Sequence, residues 1–246
     1  MTRTRTVLAA LLATLTLPAA AGDLTFTTGL DYSNGKYGTN KNSETWYVPI
    51  VAKYETGPVT LKMTVPYLHI TNAVVGPDGE PVAGSGCGGT ESGMGDITAS
   101  AGYTLLDGTQ NGLLVEAIGK VKMPTAENSC LGNNKTDYAV QFDVAKAFGA
   151  TTGFATLGWK NMGNSNLDDP FYATLGVSYK LSPTTSLGLA YDWRDRLSSD
   201  RDPISEMTVF SSHKLTDVWK LQIYAVKGFS DSSPEWGGGV MVSRKY

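Results

Sequence analysis

The feature that most constrains this chain is a strict two-residue alternation of apolar and polar side chains. It recurs in segment after segment. Leu187, Leu189, Tyr191 and Trp193 alternate with Gly188, Ala190, Asp192 and Arg194. Ala173, Leu175, Val177 and Tyr179 alternate with Thr174, Gly176, Ser178 and Lys180. Trp219, Leu221, Ile223 and Ala225, and likewise Ile97, Ala99, Ala101, Tyr103 and Leu105, repeat the pattern. Successive Cβ atoms of a strand point to opposite faces, so a period of two with one apolar face predicts β-strands.

Segmented this way, the chain reads as about twelve strands. They span 23–33, 44–56, 59–71, 95–107, 112–123, 136–147, 152–162, 169–181, 184–195, 203–214, 217–228 and 234–246. Each is long enough to cross a bilayer when tilted, which takes roughly 9–11 residues. Strands of soluble proteins usually have roughly 5–6. The connections alternate in length. Gly57-Pro58, Gly108 to Asn111, Phe148 to Thr151, Ser182-Pro183 and Leu215-Thr216 are short. Asn34 to Ser43, Asn72 to Met94, Pro124 to Lys135, Gly163 to Asp168, Arg196 to Asp202 and Phe229 to Ser233 are mostly longer. Short turns on one rim and long loops on the other mark a closed antiparallel transmembrane β-barrel of the bacterial outer membrane. An even strand count then puts both termini at the periplasmic rim.

Aromatics support a membrane setting. Tyr32, Trp46, Tyr54, Tyr67, Tyr103, Phe171, Trp193 and Trp219 lie near strand ends on the apolar parity, where interfacial girdles form. The chain ends on Tyr246 after Val240 and Val242, in the manner of a barrel-assembly signal, although Arg244 breaks the alternation. An open strand edge would leave N–H and C=O groups unsatisfied in lipid, so the first strand must pair with the last.

The N-terminus predicts export. Arg3 and Arg5 precede an apolar stretch, Val7 to Ala21, that ends in Ala19-Ala20-Ala21. This is the pattern of a cleaved signal peptide over residues 1–21, leaving 22–246 as one barrel domain. The apolar run is too short for a spanning helix of roughly 20 residues. A net charge of −3 and a pI near 5.4 give no basic patch for nucleic acid. A mean hydropathy of −0.14 argues against a polytopic helical membrane protein.

If the first strand begins near Asp23, no N-terminal segment is left to plug the barrel. The inward parity carries charges of both signs. Asp31, Lys53, Lys62, Glu116, Lys120, Asp143, Lys160, Asp192, Arg194 and Lys220 are the candidate lumen-lining residues, with Glu55, Lys122, Lys180 and Glu206 on the same parity. They read either as a polar pore that guides a solute or as ion pairs that satisfy one another. Cys87 falls in the longest, glycine-rich loop and Cys130 in the next. An even cysteine count in an exported chain predicts a Cys87–Cys130 disulfide. It would tether two extracellular loops and contribute roughly 2–4 kcal/mol.

Catalysis, metals and cofactors have little to rest on. His69 and His213 are far apart, and the cysteines lack short ligand spacing. Gly93-Met94-Gly95-Asp96 opens a strand, not a helix, so it is no nucleotide loop. A hydrolase would need a nucleophile beside a histidine. His213 falls near the periplasmic rim. His69 falls near the extracellular rim on the lipid-facing parity, and no motif places a serine or acid beside it.

Leu61 to Ile70, with Pro66-Tyr67, followed by a glycine-rich loop and then Gly93-Met94-Gly95-Asp96-Ile97, resembles the outer-membrane family named for the meta-pathway of phenol degradation. The resemblance implies a channel or transporter, in some members linked to uptake of aromatic or hydrophobic compounds, and it implies no catalytic residues. The expected partners are outer-membrane lipid, the barrel-assembly machinery and a small-molecule solute. The expected function is passage of a small solute, aromatic or hydrophobic, across the outer membrane. A barrel-type lipid hydrolase using His69 and a structural or adhesive surface barrel are the alternatives.

Overall fold

The structure, a computed structural model, describes residues 22–38, 41–72, 89–199 and 201–246. The signal-peptide reading of residues 1–21 lies outside them. Among the described residues, thirteen strands form one antiparallel sheet: β1 (Asp23–Gly35), β2 (Ser43–Thr56), β3 (Val59–Thr71), β4 (Thr90–Met94), β5 (Ile97–Asp107), β6 (Leu113–Met123), β7 (Asp137–Phe148), β8 (Thr151–Asn161), β9 (Phe171–Lys180), β10 (Thr185–Arg194), β11 (Ile204–Lys214), β12 (Trp219–Gly228) and β13 (Trp236–Lys245). Each pairs with its sequence neighbours, except that β4 and β5 both pair with β3 and not with each other, and β1 also pairs with β13 from Thr25↔Lys245 to Asn34↔Trp236. That last ladder closes the sheet, so neither terminal strand leaves an open edge.

Two of the thirteen strands are halves of one. β4 pairs with the far half of β3 (Tyr67↔Met94) and β5 with its near half (Thr64↔Thr98). Between these pairs Val65 and Pro66 face Gly95, Asp96 and Ile97, one residue more. The extra residue is a bulge, anchored by Gly95 N–H donating to Pro66 O at 2.9 Å. The barrel therefore has twelve strands. The expected strand 95–107 is corrected to begin at Thr90, and the loop from Asn72 correspondingly ends before it. Glycines at 89, 93 and 95 hid a strand whose backbone is nonetheless paired. The other ends match expectation or differ from it by one or two residues. The last strand starts at Trp236, for instance, because Pro234 has no N–H to give the ladder.

The alternation decides which way each side chain points. Leu175 is 69% exposed and Leu157 61% exposed, as outward apolar residues of a sheet that meets lipid. The outward rings collect at the rims. Tyr32 packs on Trp46 and Trp236 with centroids 4.7 and 4.9 Å apart near the long loops. Phe26 meets Tyr246 edge-on at 5.8 Å near the short turns. Arg244, which breaks the apolar run of β13, sits at that rim with its guanidinium 4.5 Å from the Tyr246 ring and 5.4 Å from Trp219. A cation over aromatic faces at the interface keeps its charge toward water.

The short rim turns tightly. Thr56 pairs directly with Val59, and Gly57 between them takes φ +53°, the left-handed region a two-residue hairpin turn needs at its first position. A buried apolar cluster lies at the other rim, inside the barrel. Leu68 and Ile70 of β3 pack against Leu131 from the loop joining β6 and β7.

Candidate functional site

The inward wall and the long-loop mouth form the site. The loop between Met123 and Asp137 folds into the mouth instead of standing away from it. Leu131 covers Leu68 and Ile70, with Tyr47, Ala126 and Cys130 around them. The bulge supplies the anchor. Asp96 accepts the backbone N–H groups of Thr125 and Ala126, and Glu127 N–H donates to Met94 O at 3.0 Å. The surrounding glycines are small because the loop lies on them. A Cβ at Gly93 would come 3.0 Å from Leu131 Cδ1 of the loop, and one at the loop's own Gly132 would come 2.5 Å from Asp96 Oδ2. The Gly93–Asp96 segment read from the sequence is thus the seat of an inward-folded loop.

A buried ion cluster ties that loop to the wall. Asp137, whose side chain is 0% exposed, lies 2.7 Å from Lys122 Nζ and 3.6 Å from Lys160 Nζ. It also accepts from Asn133 Nδ2 at 3.1 Å and from Gly163 N–H at 2.9 Å. Lys122 reaches Asp96 at 3.5 Å as well. One carboxylate therefore joins β6, β8 and two long loops. On the far side of the mouth, Arg201 donates to the Tyr37 carbonyl, and burial pushes the Tyr37 phenol up from its ordinary value.

Next to this cluster is a cavity of about 440 Å³. It brings together Lys120, Lys160, Asp192 and Arg194 of the predicted set, and adds Lys122, Asp137, Tyr172, Thr174 and Glu206. The other predicted residues are placed elsewhere on the inward wall. Asp31 accepts from the Tyr224 hydroxyl. Asp143 accepts from Thr156 Oγ1 at 2.6 Å and from Gln141 Nε2 at 2.8 Å. Lys53 pairs with Glu55 at 2.8 Å and stands directly opposite Lys62. Glu116 stands opposite Asp143, and its Oε1 is buried without a hydrogen-bond partner among the described residues. Lys220 lies opposite Lys214 at the short-turn rim. Sequence reasoning missed Asp137 and Tyr172, although both lie on the inward parity. Asp137 begins its strand, and Tyr172 looks like one more girdle aromatic.

Inward rings lie flat on inward glycines. Phe154 stands opposite Gly176, Phe210 opposite Gly188, Tyr172 opposite Gly158 and Tyr224 opposite Gly239. A Cβ at Gly176 would come 2.2 Å from Phe154 Cζ, and one at Gly188 would come 2.1 Å from Phe210 Cζ. Phe154 and Phe210 reach toward each other from β8 and β11 over the glycines of β9 and β10, with centroids 6.3 Å apart. The rings form an apolar plate against the wall.

The histidines lie on the outward face. His69 Nδ1 is 2.6 Å from Ser92 Oγ, because β4 places Ser92 directly opposite it. No sequence motif places a serine beside His69, but the strand Thr90–Met94 does. His213 Nδ1 is 2.7 Å from Thr185 Oγ1 at the short-turn rim. Cys130 packs at the mouth, and Cys87 lies outside the described residues.

No protein-family model matches the chain, and comparison with curated proteins finds no match. Solved structures do match. An outer-membrane channel from Pseudomonas putida F1 superposes with a TM-score of 0.61 at 19% identity, over 92% of this chain and 94% of that one. The KdgM porin superposes with a TM-score of 0.56 at 9% identity, over 90% of this chain and 99% of that one. At these identities what is shared is the fold, that of a porin-like outer-membrane β-barrel.

Proposed function

We propose that the protein is an outer-membrane channel for a small solute. The observation that carries this reading is the inversion of the barrel: apolar residues cover its outside, while its inside is charged and holds a cavity at the long-loop mouth. A polar lumen inside an apolar belt is what a water-filled path across lipid requires. The ten predicted charged residues are then the wall that the solute meets. The aromatic plate of Phe154 and Phe210 favours a solute with an aromatic or hydrophobic part, since offset ring contacts are worth about 0.5–1.5 kcal/mol. Residues 1–21 direct export, the assembly machinery inserts the barrel, and the long loops face outward from the cell. A Cys87–Cys130 bridge fixes the loop over the mouth. Planar-bilayer recording tests the reading: the folded protein gives discrete conductance steps. A folded protein that never conducts, with or without reductant, would sink it.

A second reading rests on one contact. Ser92 and His69 form a hydroxyl–imidazole pair on the lipid-facing side of the long-loop rim, an arrangement that could attack an acyl ester. No carboxylate among the described residues hydrogen-bonds His69, so the pair lacks the group that orients the base in a triad. Lipid-ester turnover that disappears in Ser92→Ala would favour it.

A further inference from the structure

The charges of the inward wall are scattered along the chain but ordered across the barrel. The ladders place Lys245 opposite Thr25, Thr25 opposite Lys53, and Lys53 opposite Lys62. They continue through Ser100 to Lys120, and through Ala139 to Lys160. Every charged residue in that hydrogen-bonding row is a lysine. A second row runs from Thr104 through Glu116, Asp143, Thr156, Thr174, Asp192 and Glu206 to Gly228. Every charged residue in it is an acid. Between β5 and β11 the row separating them carries a single charge, Arg194.

Each row crosses the membrane. Barrel strands tilt by about 35–45°, so a row perpendicular to them climbs as it goes round. The lysine row starts at the end of β13 and beside the Gly57-Pro58 turn, on the short-turn rim. It finishes at Lys160, next to the last residue of β8, on the long-loop rim. The acidic row starts low on β6 and finishes at the long-loop ends of β11 and β12. The two are therefore parallel spirals of opposite sign. Lys120 and Glu116 mark their spacing, four positions apart on β6, or about 13 Å of strand.

At its ends the lysine row meets carboxylates: Asp23 lies 2.7 Å from Lys245, Glu55 2.8 Å from Lys53, and Asp137 3.6 Å from Lys160. In the acidic row, Asp143 and Asp192 accept hydrogen bonds from Thr156 and Thr174, neutral donors that leave the charge in place. The cavity takes lining from both spirals. Lys120 and Lys160 line one side of it, Asp192 and Glu206 line another, and Arg194 stands between.

A wall of one sign concentrates counter-ions of the other. Two walls of opposite sign do something different. A solute with one charge gains from one wall and is repelled by the other, whereas a solute with both charges gains from both and is oriented. We propose that the cavity takes a small zwitterion, its anionic group toward Lys120 and its cationic group toward Asp192, and that the two spirals guide it across the membrane. This inference rests on the channel reading.

A matched series that varies only charge tests it. Phenylalanine, 3-phenylpropionate and phenethylammonium share one ring and carry both charges, the negative one and the positive one. Binding is measured by calorimetry on the folded barrel in detergent, and block of ion current in planar bilayers. Phenylalanine is expected to bind about tenfold tighter than either singly charged analogue. Lys120→Gln removes the preference over phenethylammonium, and Asp192→Asn removes the preference over 3-phenylpropionate. Lys62→Gln, on the track but outside the cavity, leaves binding unchanged and lowers the rate of passage. Equal binding of the three probes, or binding by 3-phenylpropionate as tight as that of phenylalanine, overturns the proposal. A barrel that never conducts defeats the channel reading, while calorimetry still decides the site. Heat-modifiable mobility on gels confirms that each variant is folded.

Discussion

Asp96 accepts the backbone N–H groups of Thr125 and Ala126, each at 3.0 Å, and so holds the third long loop inside the barrel mouth. Hydrogen bonds to a charged acceptor are worth about 1.5–3 kcal/mol each. Asp96→Ala should therefore release the loop while leaving the strands closed. Limited proteolysis reads this directly: cleavage between residues 124 and 136 becomes fast, and the barrel keeps its folded gel mobility. Unchanged protection would mean that the Leu68–Ile70–Leu131 packing holds the loop without the carboxylate.

Asp137 is the more severe site. Its side chain is fully buried and shared by Lys122, Lys160, Asn133 and Gly163. Removing one partner of a buried ion pair costs about 3–5 kcal/mol, because the remaining charge is left uncompensated. Asp137→Ala should lower the urea midpoint of the refolded protein well below that of Lys53→Ala, whose pair with Glu55 is half exposed.

The contrast between these residues shows what the sequence made legible. Alternation fixed which residues face lipid and which face inward, because it depends only on a period of two. It could not show that Glu116 stands opposite Asp143, since the long loop between β6 and β7 leaves their register open, whereas the two-residue turn at Gly57-Pro58 sets Lys53 opposite Lys62. Thr90–Met94 was read as loop because its glycines mask the strand pattern, and with it went the contact between His69 and Ser92. Asp96 was legible as part of a motif. Its role as a loop anchor was not, since its partners lie about thirty residues away.

The aromatic plate predicts a steric effect on conduction. A side chain at Gly188 would begin 2.1 Å from Phe210 Cζ, so Gly188→Leu must push that ring off the wall and into the lumen. Unit conductance should fall by roughly half or more in the folded variant, since flow through a narrow pore follows its cross-section. Gly119→Leu, on the outward face with open space around it, should conduct as the parent does.

His69 separates the two functional readings. If the protein is a channel, His69→Ala and Ser92→Ala conduct normally, and neither differs from the parent in a lipid-ester hydrolysis assay. Turnover in the parent that both replacements abolish would move the function to the outer surface of the barrel.

Arg244 is placed to secure the closing seam. It lies over Trp219 and Tyr246 at the rim where β12, β13 and β1 meet. Exposed cation–π contacts are worth about 0.5–1 kcal/mol. Arg244→Ala should lower the melting temperature by a few degrees, read by tryptophan fluorescence, with no change in conductance.

The seat formed by Gly95 and Asp96 has a consequence for how this barrel can diverge. A chain that kept every residue but straightened the bulge would run on from Thr98 in regular register, and from Gly95 to Thr90 every side chain would swap faces. Met94 and Ser92 would turn inward and His69 would face Gly93. The bulge and the loop it carries can thus be inherited only together, which makes the spacing between Pro66 and Asp96 a better marker of this mouth than any single residue in it.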